Sequence, residues 1–381
     1  MVTAVARCIL SSMTKNMDNA ATPGVKKGHW KLILNVITIS LLGLLVYGSR
    51  SQLMQTLENL RHVNGWVLLL LIPVEVLNYH AQARLYQRLF ALVGTRFPYW
   101  YLFRTSLELN FVNHVFPSGG AAGVSYFGVT VRKGDEVSGG KATLVHVIKL
   151  AATFVSLEII IAFGLLALAI GNRVNGLLLL VTASLSTLIL LVTIAVPYLI
   201  GSQQRINSLL TNSTEMLNKL IHFFRPKSTE TINMDAAKLA FTDFHENYQQ
   251  LKNRWREFRM PLFYALLANL TEIAALYVVY LAFGKYVNVG AVIIAYSVAN
   301  FAGLVSILPG GVGIYEALMT AVMASAGIPP GVSLPVTVMY RVVNTAIQVP
   351  PGYFLYQRSL RRKNAAVTED KTSNTRKSHV I

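Results

Sequence analysis

Acidic residues are scarce in this sequence, cysteine is all but missing, and the signatures of soluble catalysis do not occur. Cys8 is the only cysteine, which excludes an intramolecular disulfide framework and a thiolate metal site. There is no Gly-x-Ser-x-Gly elbow, no His-Glu-x-x-His pair and no phosphate-binding loop ending in Gly-Lys-Ser/Thr. Hydrolase, zinc-protease and P-loop chemistries therefore have no anchor in the chain. Charged residues fill only 13% of the 381 positions, where a soluble domain carries about 25%.

What takes their place is apolar. Hydrophobic residues make up 53% of the chain and the mean hydropathy is +0.48, so the expected solvent for most of it is lipid. The net charge of +17 sits in connections and tails rather than in the apolar runs. That is the pattern of positive cytoplasmic loops facing anionic lipid headgroups, not of a nucleic-acid binder. The first 28 residues mix Thr, Asn, Ala and Lys without a compact apolar core or cleavage site, and are expected to form a disordered cytoplasmic tail rather than a signal peptide.

A membrane-crossing helix needs about 20 apolar residues. Segments 31–47, 66–83, 141–170, 174–200, 261–283, 289–308 and 332–356 qualify, while 99–116 is more polar, with Arg104, Glu108, Asn110, Asn113 and His114. Two runs, 121–131 and 314–326, are too short to span, and each follows a Pro-Gly-Gly type break. The predicted organisation is a tail (1–28), a first membrane half (29–201), a basic cytoplasmic linker (202–260) with helix over 235–258, a second membrane half (261–357) and a basic tail (358–381) that is disordered at its end.

The two halves resemble one another. Phe116-Pro117-Ser118-Gly119-Gly120 returns as Leu308-Pro309-Gly310-Gly311, and the prolines are 309 − 117 = 192 positions apart. Gly139 and Gly331 share the offset (331 − 139 = 192), as do Lys149 and Arg341, the one cation well inside each following helix (341 − 149 = 192). Orienting the segments by their Lys and Arg puts both termini in the cytoplasm. The first broken segment (99–131) then enters from the cytoplasmic face and the second (289–326) from the opposite face. The expected fold is all-α: a polytopic transmembrane helix bundle with two inverted repeats, each containing a Pro-Gly-Gly broken or re-entrant hairpin, as in many secondary transporters. The length of 289–308, about 30 Å as helix, is in tension with a hairpin arm. Were it to span, the last helix would reverse.

A break in mid-membrane exposes backbone that lipid cannot satisfy, and the helix after it points free amides and a positive dipole end at whatever lies there. Lys149 and Arg341 fall roughly 13 to 15 Å into their helices, where an uncompensated charge costs about 3 kcal/mol or more. One reading is that the two cations and two helix starts converge on a phosphate. The competing reading is structural: the bends serve close packing, and Lys149 pairs with Glu158 or another acid. Glu316 is open to three roles, a carboxylate held by the helix start, a coupling-ion site or a proton site. Glu108, Glu158 and Glu272 serve equally as partners of buried cations or as proton carriers, and Asn110, Asn113 and His114 as interhelix hydrogen-bonders or substrate contacts. Tyr99, Trp100 and Tyr353 are expected to be interfacial anchors.

At these residues the chain resembles the flippase-like family of the lysylphosphatidylglycerol synthase transmembrane region, the membrane portion of bacterial phosphatidylglycerol lysyltransferase. The resemblance rests on Phe116-Pro117-Ser118-Gly119-Gly120-Ala121-Ala122-Gly123, on Leu308-Pro309-Gly310-Gly311-Val312-Gly313-Ile314-Tyr315-Glu316, and on Arg341. In relatives an Arg is common where Lys149 stands, and an acid often follows the first glycines where this chain has Val124 and Ser125. The resemblance implies translocation or handling of polar lipids; the lysyl transfer of the lysyltransferase belongs to a soluble domain after its membrane part.

The expected function is therefore binding and translocation of an anionic or aminoacylated lipid between leaflets of the cell membrane. The alternatives are a lipid-modifying enzyme or its membrane subunit, or a membrane scaffold. The expected substrate-binding residues are Pro117, Gly119, Gly120, Lys149, Pro309, Gly310, Gly311, Gly313, Glu316 and Arg341. No metal or cofactor is expected, and the expected partners are membrane lipids, with a synthase or a second copy of the chain as further candidates.

Overall fold

The computed structural model describes residues 63–115, 121–131, 137–171, 174–202, 204, 205, 208, 244–249, 251, 254–305 and 313–378. Among these residues there are helices and no strands. In chain order the helices are α1 (Gly65–Leu68), α2 (Leu71–Leu92), α3 (Tyr99–Val115), α4 (Ala121–Thr130), α5 (Gly139–Ile170), α6 (Gly176–Ile200), α7 (Arg259–Ala282), α8 (Val289–Val305), α9 (Ile314–Ser325) and α10 (Pro330–Ser378). A 3-10 turn, Trp255–Phe258, leads into α7.

Polar residues set several of the starts, because the first amides of a helix have no partner within it. The Asn64 side chain accepts from Trp66 N at 3.1 Å, Ser138 Oγ from Lys141 N at 3.2 Å, and Asn175 from Leu178 N at 2.8 Å. Asn175 also donates to Ser325 O at 2.6 Å, so the start of α6 is tied to the end of α9.

Among the described residues four helical stretches are long and apolar enough to cross a membrane: Gly65–Leu92 (α1 with α2), Gly139–Ile170, Gly176–Leu199 and Arg256–Ala282. They contain the segments expected at 66–83 and 141–170, cover the one at 261–283 except for its last residue, and match the one at 174–200 to within two residues. Leu177, Leu179, Leu180, Leu190, Leu191 and Ile194 of α6 point outward, a face suited to lipid.

Two expectations change. Of the helix expected over 289–308, Val289–Val305 is seen as α8, and 306–308 lie outside the described residues. The segment 332–356 lies within α10 but is not among the four apolar spans, because Arg341, Asn344 and Gln348 lower its hydropathy while facing the interior. The basic tail 358–381, expected to be disordered at its end, continues α10 as far as Ser378; 361–366 reads Arg-Arg-Lys-Asn-Ala-Ala, a run mostly of good helix formers. The span 31–47, both Pro-Gly-Gly segments and most of the linker lie outside the described residues.

The bundle centres on α7, which packs most extensively on α2 and also on α5 and α10. α8 and α9 pack on one another, as do α3 and α4, and α10 packs on α3. The main apolar core joins Leu71, Ile161, Leu276, Ile294, Met319 and Met339 of six helices. Where α8 crosses α5, small residues permit backbone contact: a Cβ on Gly290 would lie 2.3 Å from Gly164 O. Close approach of this kind replaces the hydrophobic drive that is missing between helices in lipid. Gly290→Val should therefore lower the detergent unfolding midpoint of the full chain, at a cost of about 1 to 3 kcal/mol. An unchanged midpoint would contradict the tight crossing.

Candidate functional site

Glu316 lies on the first turn of α9 and Arg341 about three turns into α10, and the packing of α9 on α10 brings them together. Gly313, at φ +88°, precedes α9 in a backbone conformation that a side chain would strain. Its N–H donates to Glu316 Oε2 at 2.7 Å. Arg341 Nη1 donates to Glu316 Oε1 at 2.5 Å, with the side chains only 16% and 5% exposed. The Arg341 guanidinium also lies 5.2 Å from the Tyr315 ring centroid. Glu316 thus answers both the helix start and the buried cation. Within the chain Glu316 supplies a counter-charge to Arg341.

Lys149 differs. Its Nζ lies 5.3 Å from the Tyr86 ring centroid, and Tyr86 OH is 3.2 Å from His146 Nδ1. Glu158, the acid suggested as its partner, makes no ion pair with it, and the Oε2 of Glu158 is buried without a hydrogen bond. The reason is spacing: nine residues along α5 separate the two by roughly 13 Å. Among the described residues no carboxylate pairs with Lys149. The neighbours of Lys149 are Tyr86 and His146, whereas those of Arg341 are Glu316, Tyr315 and His114, which feels its charge. None of these contacts joins the two cations. Pro117, Gly119, Gly120, Pro309, Gly310 and Gly311 lie outside the described residues.

The polar residues of α3 are used between helices. Asn110 Nδ2 donates to Tyr79 OH and to Gln348 Oε1 at 2.5 Å, joining α2, α3 and α10. His114 Nδ1 meets Asn110 O at 2.9 Å, the Asn113 amide lies against Gly123, and Glu108 accepts from Tyr126 OH at 2.7 Å. Glu272 accepts from Tyr340 OH at 2.8 Å.

Sequence reasoning missed Glu75, the lone acid of the first apolar span, which is 2% exposed. Its Oε2 accepts from Gln348 Nε2 at 2.7 Å. A signal was there to read: Arg341, Asn344 and Gln348 follow i, i+3, i+7 spacing, one face of a helix, and Glu75 is an acid with no apolar reason to be in its span.

If Glu316 carries the charge of Arg341, removing either partner strands the other, at about 3 to 5 kcal/mol, whereas removing both restores part of the loss. Glu316→Gln and Arg341→Met should each lower the thermal midpoint of the full chain, and the double variant should lie above both. Additive losses would contradict a direct pair.

Known proteins resemble the chain over much of its length. The model of the lysylphosphatidylglycerol synthase TM region matches residues 32–352. A UPF0104 membrane protein of Pyrococcus horikoshii is 19% identical over 240 residues, covering 61% of this chain and 69% of that protein. One from Methanothermobacter thermautotrophicus is 35% identical over 21% of this chain and 24% of its own length. Another, from Methanocaldococcus jannaschii, is 26% identical over 32% and 37% respectively. Together with the four apolar spans, the match over 32–352 makes this chain a multi-pass membrane protein belonging to the lysylphosphatidylglycerol synthase TM region family.

Proposed function

We propose that the chain binds an anionic polar lipid by its headgroup and carries it between leaflets, with Lys149 taking the headgroup phosphate. The observation that carries this reading is an ammonium group within a 32-residue apolar helix with no carboxylate partner among the described residues. The Tyr86 ring offers a cation–π contact of about 0.5 to 2 kcal/mol, less than the cost of about 3 kcal/mol or more for a charge at the centre of a bilayer. A phosphate would make up the difference with charge-assisted hydrogen bonds.

The recurrence of the Pro-Gly-Gly pattern 192 positions apart supports the same reading. α9, with 12 residues between Gly313 and Ala326, falls short of the about 20 residues a span requires, as an arm of a broken helix should. In this proposal both termini are cytoplasmic, the two broken segments enter from opposite faces, and the backbone after Pro117-Ser118-Gly119-Gly120 and Pro309-Gly310-Gly311, with Gly313, completes the headgroup surface. Arg341, already paired, orients the headgroup rather than neutralising it, and Glu316 keeps Arg341 in place.

The test is translocation of fluorescent phosphatidylglycerol in vesicles reconstituted with the full chain. Lys149→Gln should slow translocation by about tenfold or more, equivalent to ~1.4 kcal/mol in the barrier, and Lys149→Arg should keep most of it. Wild-type rates in Lys149→Gln would remove Lys149 from the mechanism. A wild-type rate no higher than that of protein-free vesicles would remove translocation itself.

A further inference from the structure

Glu75 on α2 and Glu272 on α7 are two acids within apolar helices, and they act on one another electrostatically. Neither is bonded to a lysine, arginine or histidine among the described residues; Gln348 donates to Glu75 and Tyr340 to Glu272. An ionised carboxylate without a counter-charge in such surroundings is costly, and two side by side are more so. An intramembrane acid without a structural cation is a functional candidate.

The hydrogen bonds around the pair are short of a donor. Glu75 Oε2 accepts from Gln348, but Glu75 Oε1 is buried with no partner. Asn344, 8% exposed, donates through Nδ2 to Tyr340 OH at 3.4 Å, and Tyr340 spends its proton on Glu272. The Asn344 amide lies against the Glu75 carboxylate, yet its Oδ1 also has no partner. Rotating that amide by half a turn would set Oδ1 against a Tyr340 oxygen whose hydrogen is already committed, so one acceptor still lacks a donor. At least one buried oxygen acceptor is therefore left without a donor beside two acids that have no counter-charge among the described residues.

We infer that Glu75 and Glu272, together with the Asn344 amide oxygen, hold one monovalent cation, a proton or an alkali-metal ion, between α2, α7 and α10. Oxygen donors of this type suit a hard cation, and a proton satisfies the same deficit by turning one acceptor into a donor. The other titratable groups that face the pair are Tyr79 on α2, Tyr296 on α8, Tyr315 on α9 and Tyr340 on α10; none of them brings a positive charge. The site does not depend on lipid translocation and stands or falls separately from it.

Two measurements on the full chain in detergent at neutral pH test it. For a proton, infrared spectroscopy should show a protonated-carboxyl C=O band that shifts in heavy water and disappears in Glu75→Gln or Glu272→Gln. For an alkali ion, sodium or potassium chloride should raise the thermal midpoint above that in choline chloride at equal ionic strength, and Glu272→Gln should abolish the rise. Either result supports the site and names its cation. Absence of both in the wild-type chain overturns it, and so does a carboxyl band that survives in both variants. Because the wild-type result can overturn the site by itself, a variant that fails to fold leaves the test intact.

Discussion

Lipid offers no hydrogen bonds, so every polar group that this bundle takes out of water has to be answered by another part of the chain. The answers are made between helices. Asn78 of α2 donates to Ala268 O and Thr271 Oγ1 of α7, both at 2.9 Å, and Asn269 of α7 reaches Ser156 Oγ of α5 at 2.6 Å. Asn110, Gln348 and Glu75 continue the line through α3, α10 and α2. Each bond is geometrically exacting, so together they fix how far one helix can slide or rotate against the next. Apolar packing alone would leave these freedoms loosely set.

This explains why α10 is more polar than the other long helices yet belongs at the centre. Along 341–348 it presents a guanidinium and two carboxamides on one face, and that face meets Glu316 of α9, Tyr340 of its own preceding turn, Asn110 of α3 and Glu75 of α2. Hydropathy averages over the circumference of a helix and cannot tell a polar stripe turned inward from one turned to water. The helix is therefore underrated as a membrane segment for the same reason that it organises the interior.

Much of the element pattern was legible in the sequence because runs of apolar residues and glycine or proline punctuation determine where helices begin and end. The segments 99–116, 121–131 and 314–326 correspond to α3, α4 and α9, with 116 outside the described residues. Lys149, Glu316 and Arg341 were legible as isolated charges. Their partners were not: that Glu316 meets Arg341, and that Lys149 meets an aromatic ring rather than Glu158, depends on helix packing, which no periodicity encodes. Glu75 escaped because a single acid hardly dents the hydropathy of its span, and its relation to Glu272 crosses almost two hundred positions. The extension of α10 to Ser378 was missed because polarity was read as disorder.

The two cations 192 positions apart have the same sequence context and different chemistry. After the second set of glycines the chain carries Glu316, which bonds both the Gly313 amide and Arg341. After the first set it carries Val124 and Ser125, with no acid at either place, and Lys149 has an aromatic ring beside it rather than a carboxylate. A self-contained ion pair gains little from a further anion, because the Coulomb energy of the cation is already spent on its partner and a newcomer must displace or repel that partner. An ammonium beside an uncharged ring retains most of its attraction. In the proposed mechanism, this difference would put the affinity for a negative ligand on Lys149 rather than on Arg341, and it follows from one acid, Glu316, that has no counterpart at Val124 or Ser125.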